Sequence, residues 1–213
     1  MSGLLLQAHK EHGQTRSNFE SLRLFNRVQA VAALKETLVE KYFLIGAVLV
    51  ALGGAVTDVR RARISNQLTY SALLAALSLR STVLGLAGLK SGAVGLLVAG
   101  GLFLLLFVLG AMGGGDLKLM AAVGAWVGST QVATLILAAA IAGGVLAIGR
   151  IVFRNMVSET LRNTMHLTYY RLTSGLHPHP ELNVQSPSSQ RIPFGVAIAV
   201  GALSCAGNAI WWR

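Results

Sequence analysis

Two stretches of this chain, Ser91 to Gly115 and Leu119 to Gly149, contain no Asp, Glu, Lys or Arg at all. Uninterrupted apolar runs beyond about 18 residues match the hydrocarbon thickness of a bilayer. Lipid offers no water to satisfy exposed peptide groups, so helices, which bond internally, are the expected element. The rest of the chain agrees. Only 12% of its residues are charged, against about 25% in an ordinary soluble domain. The expected class is therefore all-α: a polytopic membrane bundle of about six transmembrane helices.

The spans follow from where polar residues interrupt the apolar runs. The first is expected at Tyr42–Thr57, ended by Asp58; its length of about 24 Å is short for a bilayer. The second runs from Leu68 to about Leu86, the third from Gly92 to Ala111. The 119–149 run is long for one helix and short for two. Gly128-Ser129-Thr130 offers a break between a short fourth and a full fifth helix, with one tilted helix as the alternative. The last span is Phe194 to about Ile210, followed by Trp211 and Trp212 at belt positions.

Two regions flank or interrupt these spans. Residues 1–41 are a polar tail in which Leu22, Phe25, Val28 and Ala32 recur at near-helical spacing, as an amphipathic surface helix requires. The tail is long for a signal-peptide n-region, and no clean small-x-small site precedes Asp58. Residues 42–213 form the membrane domain, including a polar segment, 150–192, that carries Pro178, Pro180 and Pro187. Val157, Leu161, Met165 and Leu172 could line one face of an interfacial helix there.

The formal net charge is +10. The cations flank apolar blocks and lack interleaved aromatics, which argues for lipid headgroups and against nucleic acid. With six spans, Arg60, Arg61, Arg63, Lys118 and Arg150 share one side with the 150–192 segment, and the positive-inside rule makes that side cytoplasmic. Arg80, inside the second span, is expected to snorkel to the headgroups at the opposite side.

The acids carry the chemistry. Glu11, Glu20, Glu36 and Glu40 lie in the tail, Glu159 and Glu181 in the polar segment. Only Asp58 and Asp116 lie in or beside the apolar core, and an intramembrane carboxyl is a functional candidate by default. Two carboxyls brought together share a proton: one activates water as base while the other protonates a carbonyl oxygen. Each acid also has a structural reading. Asp116, after Gly113, Gly114 and Gly115, suits a helix N-cap; Asp58 precedes Arg61 at ion-pair spacing. No metal or cofactor is expected. The lone Cys205 forms no intrachain disulfide and no cysteine metal site, and His177 and His179 flank Pro178 without further ligands.

From Asp58 the chain reads DVRRARISN, and from Gly113 it reads GGGDLKLM. These resemble the paired signatures of the type IV prepilin peptidases: an aspartate followed by Ile-Pro-Asn, then Gly-x-Gly-Asp with a following Lys-Leu. Asp58, Ile64 and Asn66 match the first; Gly113, Gly115, Asp116, Lys118 and Leu119 match the second. Ser65 stands where the family usually has proline, which would loosen the start of the second span. Ile192-Pro193-Phe194-Gly195 also resembles the opening of the family's last helix. The resemblance implies a membrane aspartyl endopeptidase of the bacterial inner membrane, with Asp58 and Asp116 catalytic. It would cleave the leader of type IV pilin-like precursors at the cytoplasmic face. The glycines would let a substrate backbone approach Asp116, and Lys118 would meet headgroups or substrate. Without the cysteine-rich segment of longer members, the chain resembles the short Tad/Flp-pilus type, and methyltransferase activity is not expected. The rivals are another Gly-x-Gly-Asp intramembrane protease and a non-enzymatic transporter or pilus-assembly scaffold. Oligomeric state is not legible.

Overall fold

The structure, a computed structural model, describes residues 2–61, 63–153 and 193–211. Most of the polar segment, with its expected interfacial helix, His177 and His179, lies outside the described residues, as does Trp212. The described residues form four helices and no strand: α1 (Ser2–Arg61), α2 (Asn66–Val108), α3 (Gly114–Phe153) and α4 (Phe194–Trp211). Four helical stretches are long and apolar enough to cross a bilayer: Thr37–Arg61, Asn66–Val108, Gly114–Arg150 and Phe194–Trp211. By contacts the chain divides into Met1–Tyr42 and Phe43–Arg213. The first unit is helical from Ser2 onward, with Phe25 and Val31 exposed.

Within the second unit, α2 and α3 are not straight rods. Gly85 (φ 62°, ψ −149°) interrupts α2 and Gly128 (φ 75°, ψ −178°) interrupts α3. That region of backbone space is open essentially to glycine alone. The chain doubles back at each. A methyl on Gly92 would lie 3.3 Å from Leu77 Cδ2, although the two residues would stand about 22 Å apart along a continuous helix. In α3, Leu119 meets Gly54 of α1, while Gly143 meets Phe194 at the start of α4, whose next residue bonds Asp58 of α1. A straight α3 would separate residues 119 and 143 by about 36 Å; the fold at Gly128 returns the chain to the same end of the bundle.

Several expected boundaries move. No loop separates a second span ending near Leu86 from a third starting at Gly92: helix resumes directly after Gly85. The first membrane helix does not stop at Asp58 but runs one turn further, to Arg61. Arg60 and Arg61 occupy its last turn, where cations suit the helix dipole. The break after the third apolar stretch is made by Gly110, not by the glycine triplet. Gly110 has φ 72°. Its N–H donates to Phe107 O (2.9 Å), and Ala111 N–H donates to Leu106 O (2.9 Å), the paired bonds of a Schellman stop. Gly114 and Gly115 already lie within α3.

Small residues let the backbones meet. A Cβ on Gly124 would come within 2.6 Å of Gly95 O and 2.7 Å of Ala99 Cβ, and one on Gly201 within 2.8 Å of Leu135 O. In lipid, where apolar side chains gain nothing by leaving the solvent, such close backbone approach is the main source of helix association. Arg80 does not snorkel; it is 1% exposed. Its Nη2 donates to Trp126 O (2.7 Å) and its guanidinium lies 4.6 Å from the Phe43 ring centroid. Trp126 O belongs to the last turn of the first leg of α3, just before the break at Gly128. The cation thus meets the negative end of that leg's dipole.

Candidate active site

The end of the bundle opposite Arg80 collects the motif residues, and the sequence explains how. Close packing sets the register between α1 and α3: Gly54 has no Cβ where Leu119 seats, and Gly46 none where Trp126 seats. The two helices therefore run antiparallel along each other. Asp58 lies one turn beyond Gly54 toward the end of α1. Asp116 lies one turn before Leu119, at the start of α3. Residues three and four apart share a helix face, so each acid sits on the face by which its helix meets the other. Both are half-buried.

Asp116 is not the N-cap of α3. Gly113 holds that position, its carbonyl accepting the first intrahelical bond from Leu117 N–H (3.3 Å). Asp116 is the third residue of the helix, within the first turn, where the dipole favours negative charge. Its Oδ2 lies back over Gly113, where a methyl would sit 3.3 Å away. Of the three glycines, Gly113 is thus the one whose missing side chain bears on Asp116. Gly114 packs toward Phe107, with 3.4 Å from its Cβ position to the ring.

Gly115 faces the other signature instead. A methyl there would lie 3.3 Å from Ile64 Cβ. Lys118 completes that seam, its Nζ donating to Asn66 Oδ1 (3.0 Å) and lying 5.5 Å from the Tyr70 ring centroid. Lys118 thus also bonds the first signature, a contact that its place in the sequence does not reveal. Ile64 and Asn66 meet Gly115 and Lys118, so the segments after Asp58 and around Asp116 are fastened to each other. Ser65 takes the N-cap position of α2 with φ −67°, ψ 129°. That φ is the one proline would impose, so the serine preserves the geometry, and α2 begins directly at Asn66.

Sequence reasoning missed one contributor. Asp58 Oδ2 accepts a hydrogen bond from the backbone N–H of Gly195 at 2.9 Å. The expected alternative partner, Arg61, makes no ion pair with it among the described residues. The signal was Pro193-Phe194-Gly195 at the opening of the last helix, but nothing local ties that motif to a residue 137 positions earlier. No cluster of three or more His, Cys, Asp or Glu suited to a metal occurs among the described residues.

Asp58 and Asp116 are thus two half-buried carboxyls carried by facing helices at one end of the bundle, groups of the kind that serve as general acid and base. A sequence model of the type IV leader peptidase family matches residues 42–148. This stretch contains both signatures and both acids. No curated protein and no solved structure matches the chain significantly.

Proposed function

The chain belongs to the type IV leader peptidase family, and we propose that within it this protein is an aspartyl endopeptidase using Asp58 and Asp116. It removes the leader from pilin-like precursors of the Flp type. The folded α2 and α3 contribute two crossings each, giving six, with both acids at the cytoplasmic face of the inner membrane and the precursor's own apolar segment in the bilayer alongside. One carboxylate takes a proton from water as the water oxygen attacks the scissile carbonyl carbon. The other carboxyl gives its proton to the carbonyl oxygen. Collapse of the tetrahedral species passes a proton to the leaving amine and frees the two products. No cofactor takes part, and methylation of the new N-terminus is not assigned to this chain.

The observation that carries this reading is the adjoining of the two signatures: Gly54 against Leu119, Ile64 against Gly115, Asn66 bonded to Lys118. Two acids serving only as separate helix caps would need none of these contacts. The Gly195 bond to Asp58 does favour a structural role for that acid, so the test must keep the bond. Asp58→Asn retains an acceptor oxygen for Gly195 N–H and removes only the ionisable group. With a purified Flp-type precursor as substrate, Asp58→Asn and Asp116→Asn are expected to cleave about 10²–10⁴-fold more slowly, with parental thermal stability. Parental cleavage by either variant rejects the assignment. Methylated product would overturn the peptidase-only reading.

A further inference from the structure

Helix α4 begins at Phe194, and the first N–H groups of any helix lack partners within it. Val196 N–H turns back to Pro193 O at 3.2 Å. Gly195 N–H instead reaches across to Asp58 Oδ2 at 2.9 Å. The start of α4 is itself anchored: the Phe194 ring packs in a tilted arrangement against Phe103 of α2 with centroids 5.8 Å apart and also packs at Gly143 of α3. The donor that meets Asp58 is therefore fixed by two other helices.

The approach is tighter than a side chain normally allows. A Cβ on Gly195 would lie 3.1 Å from Asp58 Cβ, 3.1 Å from Asp58 Oδ2 and 3.2 Å from Ala55 Cα. Asp58 could rotate away, but Ala55 Cα is backbone of α1 and cannot. A methyl at this position requires α4 and α1 to separate by a few tenths of an ångström, which lengthens the bond.

From this we infer that Gly195 is a positioning residue for Asp58 and that Oδ1, not Oδ2, is the reacting oxygen of that acid. This rests on the peptidase reading above. An amide N–H donates to an oxygen lone pair and competes with a proton for the same atom. With Oδ2 held as acceptor, the proton that Asp58 takes from water, or gives to the carbonyl oxygen, travels on Oδ1. The bond also holds the carboxyl plane, so that Oδ1 keeps one orientation through both transfers. Gly195 touches neither substrate nor water in this scheme; it acts through Asp58.

Gly195→Ala tests the inference. Misplacing a reacting group by an ångström costs about 100-fold, so a shift of a few tenths is expected to lower kcat on a pilin precursor by about 3- to 10-fold. KM should be unchanged, because an interaction used only in the chemical step is lost. Gly201→Ala is the control. It lies in the same helix, its methyl would crowd Leu135 O and Ala139 Cβ, and it stands about 9 Å along the helix from the Gly195 contact. It should lower stability while the folded protein keeps the parental kcat. Parental kcat in Gly195→Ala, or an equal fall in Gly201→Ala, overturns the inference.

Should Gly195→Ala fail to accumulate in the membrane, amide hydrogen exchange decides. The Gly195 amide is expected to be protected in the parent and in Asp58→Asn, which keeps the acceptor, and unprotected in Asp58→Ala. Equal protection in Asp58→Ala removes the basis of the inference. Protection that follows this pattern in a parent unable to cleave precursor would instead count against the peptidase reading and leave the bond standing.

Discussion

Arg80 and Lys118 share two kinds of contact at opposite ends of the bundle. Each donates to an oxygen, Trp126 O at 2.7 Å for Arg80 and Asn66 Oδ1 at 3.0 Å for Lys118. Each lies over an aromatic ring, Phe43 at 4.6 Å and Tyr70 at 5.5 Å. They differ in surroundings. Arg80 is sealed at 1% exposure, whereas Lys118 is half-buried and Asn66 is exposed. Screening by solvent reduces an exposed charged contact to a small contribution, while a desolvated one strengthens and becomes costly to break. Arg80 is therefore enclosed by the bundle, whereas Lys118 and Asn66 keep accessible surface at the end that carries Asp58 and Asp116.

The comparison is broken or sharpened first by truncating both cations. Arg80→Ala leaves a cavity and a buried carbonyl without its donor, and should cost about 3–5 kcal/mol of stability in detergent unfolding. Lys118→Ala should cost less than about 1 kcal/mol. Equal costs would mean that the two ends are alike in dielectric after all.

The glycine folds come next. Alanine at Gly85 meets no atom within 4 Å, so it should cost only the backbone strain, about 1–3 kcal/mol. Alanine at Gly128 adds a methyl 2.7 Å from both Arg80 Nη2 and Ser91 Oγ. It should therefore cost more than its Gly85 counterpart, by thermal unfolding of the two variants side by side.

The smallest effect belongs to the end that carries Asp58 and Asp116. Ser65→Pro, at φ −67°, should raise stability by about 0.4–1 kcal/mol by restricting the unfolded chain, with unchanged cleavage. A loss of stability would show that the serine N–H or side chain has a role that its backbone angle does not reveal.

Much of the bundle is readable from charge alone. The runs 91–115 and 119–149 could only be membrane helix, and the break at Gly128 falls within the Gly-Ser-Thr triplet that suggested one. The turn between the second and third spans is legible to within a few residues, near Leu86; what is hidden is that the single glycine Gly85 makes it, because connections usually take two to eight residues. Arg80 misleads for a related reason. A lone cation near the end of an apolar stretch suggests an outward-reaching side chain. It donates instead to a carbonyl 46 residues away, presented by the leg of α3 that ends at the Gly128 break. At the candidate site both signatures stand out as strings, and their scarcity of acids singles out Asp58 and Asp116. What the strings do not contain is the pairing among them: Asn66 with Lys118, Ile64 with Gly115, Asp58 with Gly195. Those pairings arise from the α1–α3 register and the placement of α4, which are tertiary facts.

The single-residue reversal at Gly85 bears on how membrane orientation can be measured. A reporter domain or epitope inserted there would have to pry apart helical legs that touch within a few residues of the glycine, and would report on a damaged bundle. Residues 109–113, which leave α2 through the Schellman stop, are non-helical and offer slack for such an insert, although they adjoin Asp116. Accessibility mapping at the Gly85 end is better done with point cysteines on its outward faces, for example at exposed Val83 or Leu86, in a Cys205→Ala background.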